Sequence, residues 1–230
     1  MSAARIVRKS LPERRRVPGR PLGRHVLHDP RSKHYRAKEA VRVRSVDHQA
    51  VGLPLYQGTL GSCTANALCG ALNSEPFNKS GRRFREREAV RLYDVECELQ
   101  GKPHPPHDPG GSGLMVCKAA KKIGWITAYS HAFGIEHALR ALTLRPVITG
   151  VNWYASFDDP DADGIVKIHP HAKVEGGHEF LADGIDLRNQ IVWFWNSWGK
   201  SYGVGGRFGM SFHTWDRLLR ERGDVTVPLL

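Results

Sequence analysis

Gln57-Gly58-Thr59-Leu60-Gly61-Ser62-Cys63-Thr64-Ala65-Asn66 runs straight into the small, apolar stretch that ends at Leu72. A cysteine stands where a glycine-rich turn gives way to Ala67, Leu68, Gly70, Ala71 and Leu72, spaced as at the start of a helix. Backbone N–H groups in a first helical turn lack intrahelical partners and carry partial positive charge, so a thiolate is favoured there. Such placement lowers a thiol pKa from about 8.5 into the range of ~3.5–7.5, and the thiolate is the nucleophile. Most free cysteines are instead small buried apolar residues. The stretch therefore needs partners elsewhere before it means chemistry.

Those partners stand more than a hundred residues downstream. Gly176-Gly177-His178-Glu179-Phe180 is followed by Ile191-Val192-Trp193-Phe194-Trp195-Asn196-Ser197-Trp198-Gly199. One cysteine with a distant His and Asn is the pattern of a nucleophile whose partners meet only in the fold. Together, Gln-Gly-x-x-Gly-Ser-Cys, the His and Asn-Ser-Trp-Gly resemble the papain-like cysteine peptidases, in a compact form of bacterial or phage type. The order Gln57, Cys63, His178, Asn196 matches that family, as does the six-residue Gln-to-Cys spacing. The likeness spans about residues 45 to 212.

What the resemblance implies is an α+β, two-lobed fold: a helical lobe plus an antiparallel, β-barrel-like lobe, with the active-site cleft between them. It implies a cysteine-type endopeptidase acting through a Cys63–His178 thiolate–imidazolium pair. Asn196 would orient the imidazole, Gln57 would donate to the oxyanion, and Trp198 would shield the Asn–His bond beside the bound substrate. Peptide or protein is the expected substrate, and the chemistry calls for no cofactor or metal. Two further uses remain open: acyl transfer or cell-wall peptide cleavage by the same triad, or an inactive binding protein. Family members of secretory origin usually carry a disulfide-forming cysteine where this chain has Leu60.

Charge is unevenly spread over the 230 residues. Residues 1–50 hold 14 Lys/Arg and 4 Asp/Glu, whereas residues 51–230 hold 20 and 19. A nearly neutral domain thus follows a basic arm, residues 1–40, too poor in apolar residues to build a core of its own and expected to be disordered. Residues 1–36 could hold a polyanion or nucleic acid through phosphate contacts, or lie along the domain's own surface. The arm reads as too short for the helical inhibitory propeptide common in the family. No apolar run approaches the ~20 residues of a membrane span, and the arginine-rich start lacks a secretory h-region. Four cysteines make no disulfide scaffold. A monomer in the cytoplasm, or associated with a phage, is the resulting expectation.

Within the domain, 41–230, a helical lobe is expected at about 55–130 and a sheet lobe at about 131–212, with a C-terminal helix at about 213–222. Val41 to Val46 alternates like a short strand. Helices are read at 63–74, 82–99, 113–123 and 135–144. Strands are read at 147–154, 165–168, 179–185, 191–195 and 207–212. The acidic turn Asp158 to Gly164 lacks the glutamate that closes an EF-hand loop. Cys97, His104, His107 and Cys117 have no compact zinc spacing, so no metal site is expected.

Gly110-Gly111-Ser112-Gly113-Leu114-Met115 resembles the family's segment lining the substrate cleft. There Gly113, beside Ser112, would let a substrate backbone pair as an added strand, while Ser112 could equally cap a helix. Glu179 stands where the family usually has a small apolar residue near the specificity pocket. It would favour a basic substrate side chain, or instead raise the pKa of the neighbouring histidine.

Overall fold

A computed structural model of the protein describes residues 21–27, 29–37 and 41–230. Most of the basic arm, including Arg14 to Arg16, lies outside the described residues. The elements are β1 (Val46–Asp47), α1 (Cys63–Leu72), α2 (Glu86–Leu99), α3 (Gly113–Lys122), β2 (Ala128–Ala132), α4 (Ile135–Leu144), β3 (Val147–Tyr154), β4 (Val174–Asp186), β5 (Ile191–Trp195), β6 (Arg207–Ser211), α5 (Phe212–Arg220) and β7 (Asp224–Leu229). One antiparallel sheet runs β2-β7-β3-β4-β5-β6, with β1 added along β4. This is the expected helical half followed by an antiparallel sheet half.

Strand β4 is the spine, because its alternation serves two cores. Phe180 and Ala182 face an aromatic core with Trp153, Phe194, Phe208 and Trp215, closed by α4 and α5. Leu181, from the opposite face, packs with Leu68, Leu92, Tyr93 and Val116 of the three N-terminal helices. Side chains of successive strand residues point to opposite faces. Neighbouring His178 and Glu179 are therefore aimed at different surroundings, which sets their separate roles below. Helix α1 lies close on this spine because Gly70 has no side chain: a Cβ there would sit 3.1 Å from Leu181 Cδ2.

Several expectations need correction. Ile165 to Ile168 forms no strand; Ile165 makes only an isolated bridge to Gly209. The alternating run from Val41 pairs only at Val46 and Asp47. Conversely, β2 and β7 were not anticipated, yet β7 joins β2 to β3 and closes that side of the sheet. The described part of the arm is ordered on the domain, with a 3₁₀ turn at Pro30–Tyr35 and residues 21–27 laid in the cleft.

Candidate active site beneath an N-terminal strap

The turn before α1 is shaped by Gly58, whose φ of +59° closes Leu60 N–H onto the Gln57 carbonyl at 3.2 Å. The Gly61 amide is held by the Asp108 carboxylate at 3.0 Å, and Tyr93 Oη donates to the same group at 2.6 Å. Cys63 then opens α1 with its side chain wholly buried. Its sulfur meets the backbone amides of Glu179 and Gly23. The first of these belongs to the residue next to His178, so the nucleophile and the histidine strand are brought together.

His178 Nε2 donates to Asn196 Oδ1 at 2.8 Å, and the same oxygen accepts the Ser197 amide at 2.8 Å. Trp198 stacks on the imidazole with centroids 4.7 Å apart, and Trp153 meets it edge-on at 5.1 Å. The ring is thus fixed by one hydrogen bond and two aromatic faces, with Nε2 committed and Nδ1 left on the other side. Gln57 is tied by its backbone N–H to the Ser197 carbonyl at 2.9 Å, and its side-chain carbonyl accepts from Ser197 Oγ. The arrangement aims Nε2 of Gln57 at two carbonyls, Leu60 at 2.8 Å and Pro21 at 3.3 Å.

Pro21 belongs to the strap that covers the site. From there Leu22 lies on Gly176, Gly23 on the Cys63 turn, and Arg24 on Gly177. Arg24 N–H donates to the Gly177 carbonyl at 3.0 Å, Gly111 N–H to the Gly23 carbonyl at 2.8 Å, and His25 N–H to the Gly111 carbonyl. The Arg24–Gly111 bridge is parallel. Approach this close needs glycines on both sides: a Cβ on Gly23 would stand 2.1 Å from the Gly61 carbonyl oxygen, and one on Gly177 2.6 Å from the Arg24 carbonyl oxygen. What the strap offers the sulfur is the Gly23 N–H, a hydrogen-bond donor.

Covering changes the charges. Burial pushes the Cys63 thiol up to about 12 against the pull of the two amides. Burial likewise lowers His178 to about 4, although the bond to Asn196 acts the other way. A buried ion costs more than a buried neutral group. Under the strap, burial therefore favours the neutral forms of both the thiol and the imidazole.

The strap pairs with Gly111 rather than with Gly113, two residues further on. Gly111 makes the main-chain pair, whereas Gly113 is the first residue of α3 and Ser112 caps it, accepting from Met115 N–H at 3.3 Å. Glu179, wholly buried, turns away from His178 into a pocket with Arg24 and Asp224. It does not contribute to the histidine's shift, which comes from burial and Asn196 alone. Two acids escaped the sequence reading. Glu96 of α2 accepts from Thr64 Oγ1 at 2.6 Å and from Ser112 N–H at 2.9 Å, tying the nucleophile helix to the cleft wall. Asp224 holds Arg24 from the start of β7. His104 of the rejected zinc set pairs with Asp94 at 2.7 Å.

No family model matches the chain. An uncharacterized peptidase C1-like protein of Acanthamoeba polyphaga mimivirus is 27% identical over 198 residues, 68% of this chain and 63% of that protein; the match thus spans less than two thirds of the relative. Among solved structures, xylellain, a cysteine protease from Xylella fastidiosa, superposes with a TM-score of 0.73 at 20% identity, covering 92% of this chain and 97% of that one. The ragweed pollen cysteine protease Amb a 11, in its proform, gives 0.61 at 17% identity over 86% and 69%. Digestive procathepsin L 3 of Tenebrio molitor gives 0.60 at 14% identity over 92% and 76%. The chain has the fold of the papain-like cysteine proteases.

Proposed function

We propose that the protein is a cysteine peptidase that hydrolyses peptide bonds through a thioester on Cys63. The observation that carries this reading is the buried His178–Asn196 pair set beside the helix-opening cysteine. Nε2 is held by Asn196 at 2.8 Å, so Nδ1 is the nitrogen left to exchange a proton with the thiol. A fixed tautomer and a fixed ring plane are what a general base in this position needs.

When the strap leaves, water and the first turn of α1 favour charge again, and His178 takes the thiol proton. The thiolate attacks a peptide carbonyl. Gln57 Nε2–H and the Cys63 backbone N–H receive the oxyanion, a task for which Gln57 is already directed at carbonyl oxygens. His178 then gives its proton to the departing amine. Water, deprotonated by His178, cleaves the thioester and restores the thiol. The cysteine proteases among the structural neighbours support the same chemistry.

The test is alkylation of Cys63 against pH, mapped by mass spectrometry, in wild type and His178→Ala, followed by product analysis on a peptide library. With Arg24→Ala added to both proteins to free the cleft of the strap, labelling that persists to about pH 5–6 and depends on His178 is the expected result. Released free carboxylates would mark hydrolysis, and joined peptides would mark transfer. A labelling rate that rises only near pH 8–9 in both proteins would reduce Cys63 to an ordinary thiol and overturn the reading.

A further inference from the structure

Arg24 is a guanidinium with no solvent exposure, carried into the cleft by the strap. It enters a pocket created by register. On β3, Gly150 pairs with Glu179 of β4 on one side and with Asp224 of β7 on the other. Partners in register share a face of the sheet, so two carboxylates flank a residue with no side chain. The gap is real in size. A Cβ on Gly150 would lie 2.4 Å from Glu179 Oε2 and 2.5 Å from Arg24 Nε. On the facing wall, a Cβ on Gly113 would lie 2.8 Å from Glu179 Oε1, 2.8 Å from Thr226 Oγ1 and 3.0 Å from Asp224 Oδ1.

Arg24 Nη2 donates to Asp224 and, at 2.8 Å, to the Arg222 carbonyl. Glu179 is fully buried, and neither carboxylate oxygen has a hydrogen-bond partner among the described residues. A buried carboxylate without a cation is costly. Burial and the neighbouring Asp224 push the Glu179 carboxyl well above the usual carboxylate range, and the Arg24 cation acts against that rise.

Resting on the peptidase reading, we propose that the Glu179–Gly150–Asp224 row is the specificity pocket for an arginine or lysine side chain of the substrate, and that Arg24 fills it as an internal stand-in. Position follows from the strap. Gly23 lies at the sulfur and the adjacent residue fills the pocket. Because the strap's bridge to Gly111 is parallel, a chain running the other way brings a carbonyl to Cys63 with the basic residue immediately before the scissile one. Basic-Gly is thus the favoured acyl sequence.

The experiment uses the full chain carrying Arg24→Ala and two covalent probes, acetyl-Arg-Gly and acetyl-Leu-Gly acyloxymethyl ketones, with labelling of Cys63 followed by mass spectrometry. The Arg probe is expected to label at least about tenfold faster, and Asp224→Asn or Glu179→Gln on the same background to bring the two rates within about threefold. Asp224 is partly exposed, so its variant serves if the Glu179 variant does not fold. An Arg probe that labels no faster than the Leu probe, or not at all, overturns the pocket assignment. The peptidase reading fails separately, on iodoacetamide labelling that is indifferent to His178→Ala.

Discussion

Gln57 carries a side-chain amide whose direction is set from both ends, by Ser197 Oγ on its oxygen and by carbonyls in front of its nitrogen. Removing one preorganised oxyanion donor costs about 2.7–4 kcal/mol, or 10²–10³ in kcat. Gln57→Ala is therefore expected to lower kcat by that factor with little change in KM, measured on the best library peptide. An equal loss in Gln57→Glu would be consistent, since a carboxylate cannot donate; an undiminished rate would remove Gln57 from the oxyanion site. Glu96 makes a different prediction. It is fully buried, its carboxyl is raised to about 8 by burial, and its two hydrogen bonds oppose that rise. Glu96→Ala leaves the Thr64 hydroxyl and the Ser112 amide without their acceptor, at about 1–3 kcal/mol each, and the loss should appear in thermal unfolding. Cys63, His178, Asn196 and Gln57 were picked out in the sequence because short contiguous motifs surround them, and the fold gathers them in one cleft. Glu96 and Asp224 were not, because a lone acid in an amphipathic helix or near a C-terminus reads as surface until packing brings its partners.

At the scale of elements, periodicity located whatever one core demands. Helices α1, α3 and α4 and strands β3 and β5 fall within two residues of their expected bounds, since each is an apolar or apolar-periodic run; α1 is buried along its whole length and β3 on both faces. Strands β2 and β7 carry no such signal in five or six residues; they exist because β3 offers β7 an unpaired edge and β7 offers the same to β2. Ile165 to Ile168 has the apolar residues of a strand but finds one bridge only. Leu181 tests the load on β4 directly. It is 1% exposed, faces the helical core and presses on Gly70. Leu181→Ala should cost about 2–5 kcal/mol of unfolding free energy in denaturant titration. Because β4 also carries His178 and Glu179, the same variant should loosen the cleft, seen as faster alkylation of Cys63. A loss under about 1 kcal/mol would mean that the two halves do not depend on this contact.

Across the whole molecule, the charge split between arm and domain was visible in composition, but its use was not. The arm's 14 to 4 imbalance over residues 1–50 read as a solvated segment, a phosphate-seeking one or one laid along the domain's own surface; its described part follows the last of these, with one arginine sealed into an acidic pocket. Glycines 23, 176 and 177 permit this close threading, and only tertiary contact reveals the match. Covering the site should then depend on pH through the groups it neutralises. His178 is faced by Trp153, Trp198, Phe180 and Asn196, none of which titrates. Its pKa is about 4 under the strap and near 6.5 when solvated. The uncovered form binds the extra proton, so covering is fully favoured above about pH 6.5 and weakens as pH falls through 4, by at most about 3 kcal/mol. Cys63 acts at the other end. Its pKa is raised from 9.0 to about 12 under the strap, so covering also weakens as pH rises above 9. Exchange of the Arg24 and Gly111 amides, corrected for intrinsic rates, should show most protection between about pH 6.5 and 9. His178→Gln, which cannot be protonated in this range, isolates the imidazole's share. An acid limb of the same depth in His178→Gln would show that His178 does not set the acid release of the strap.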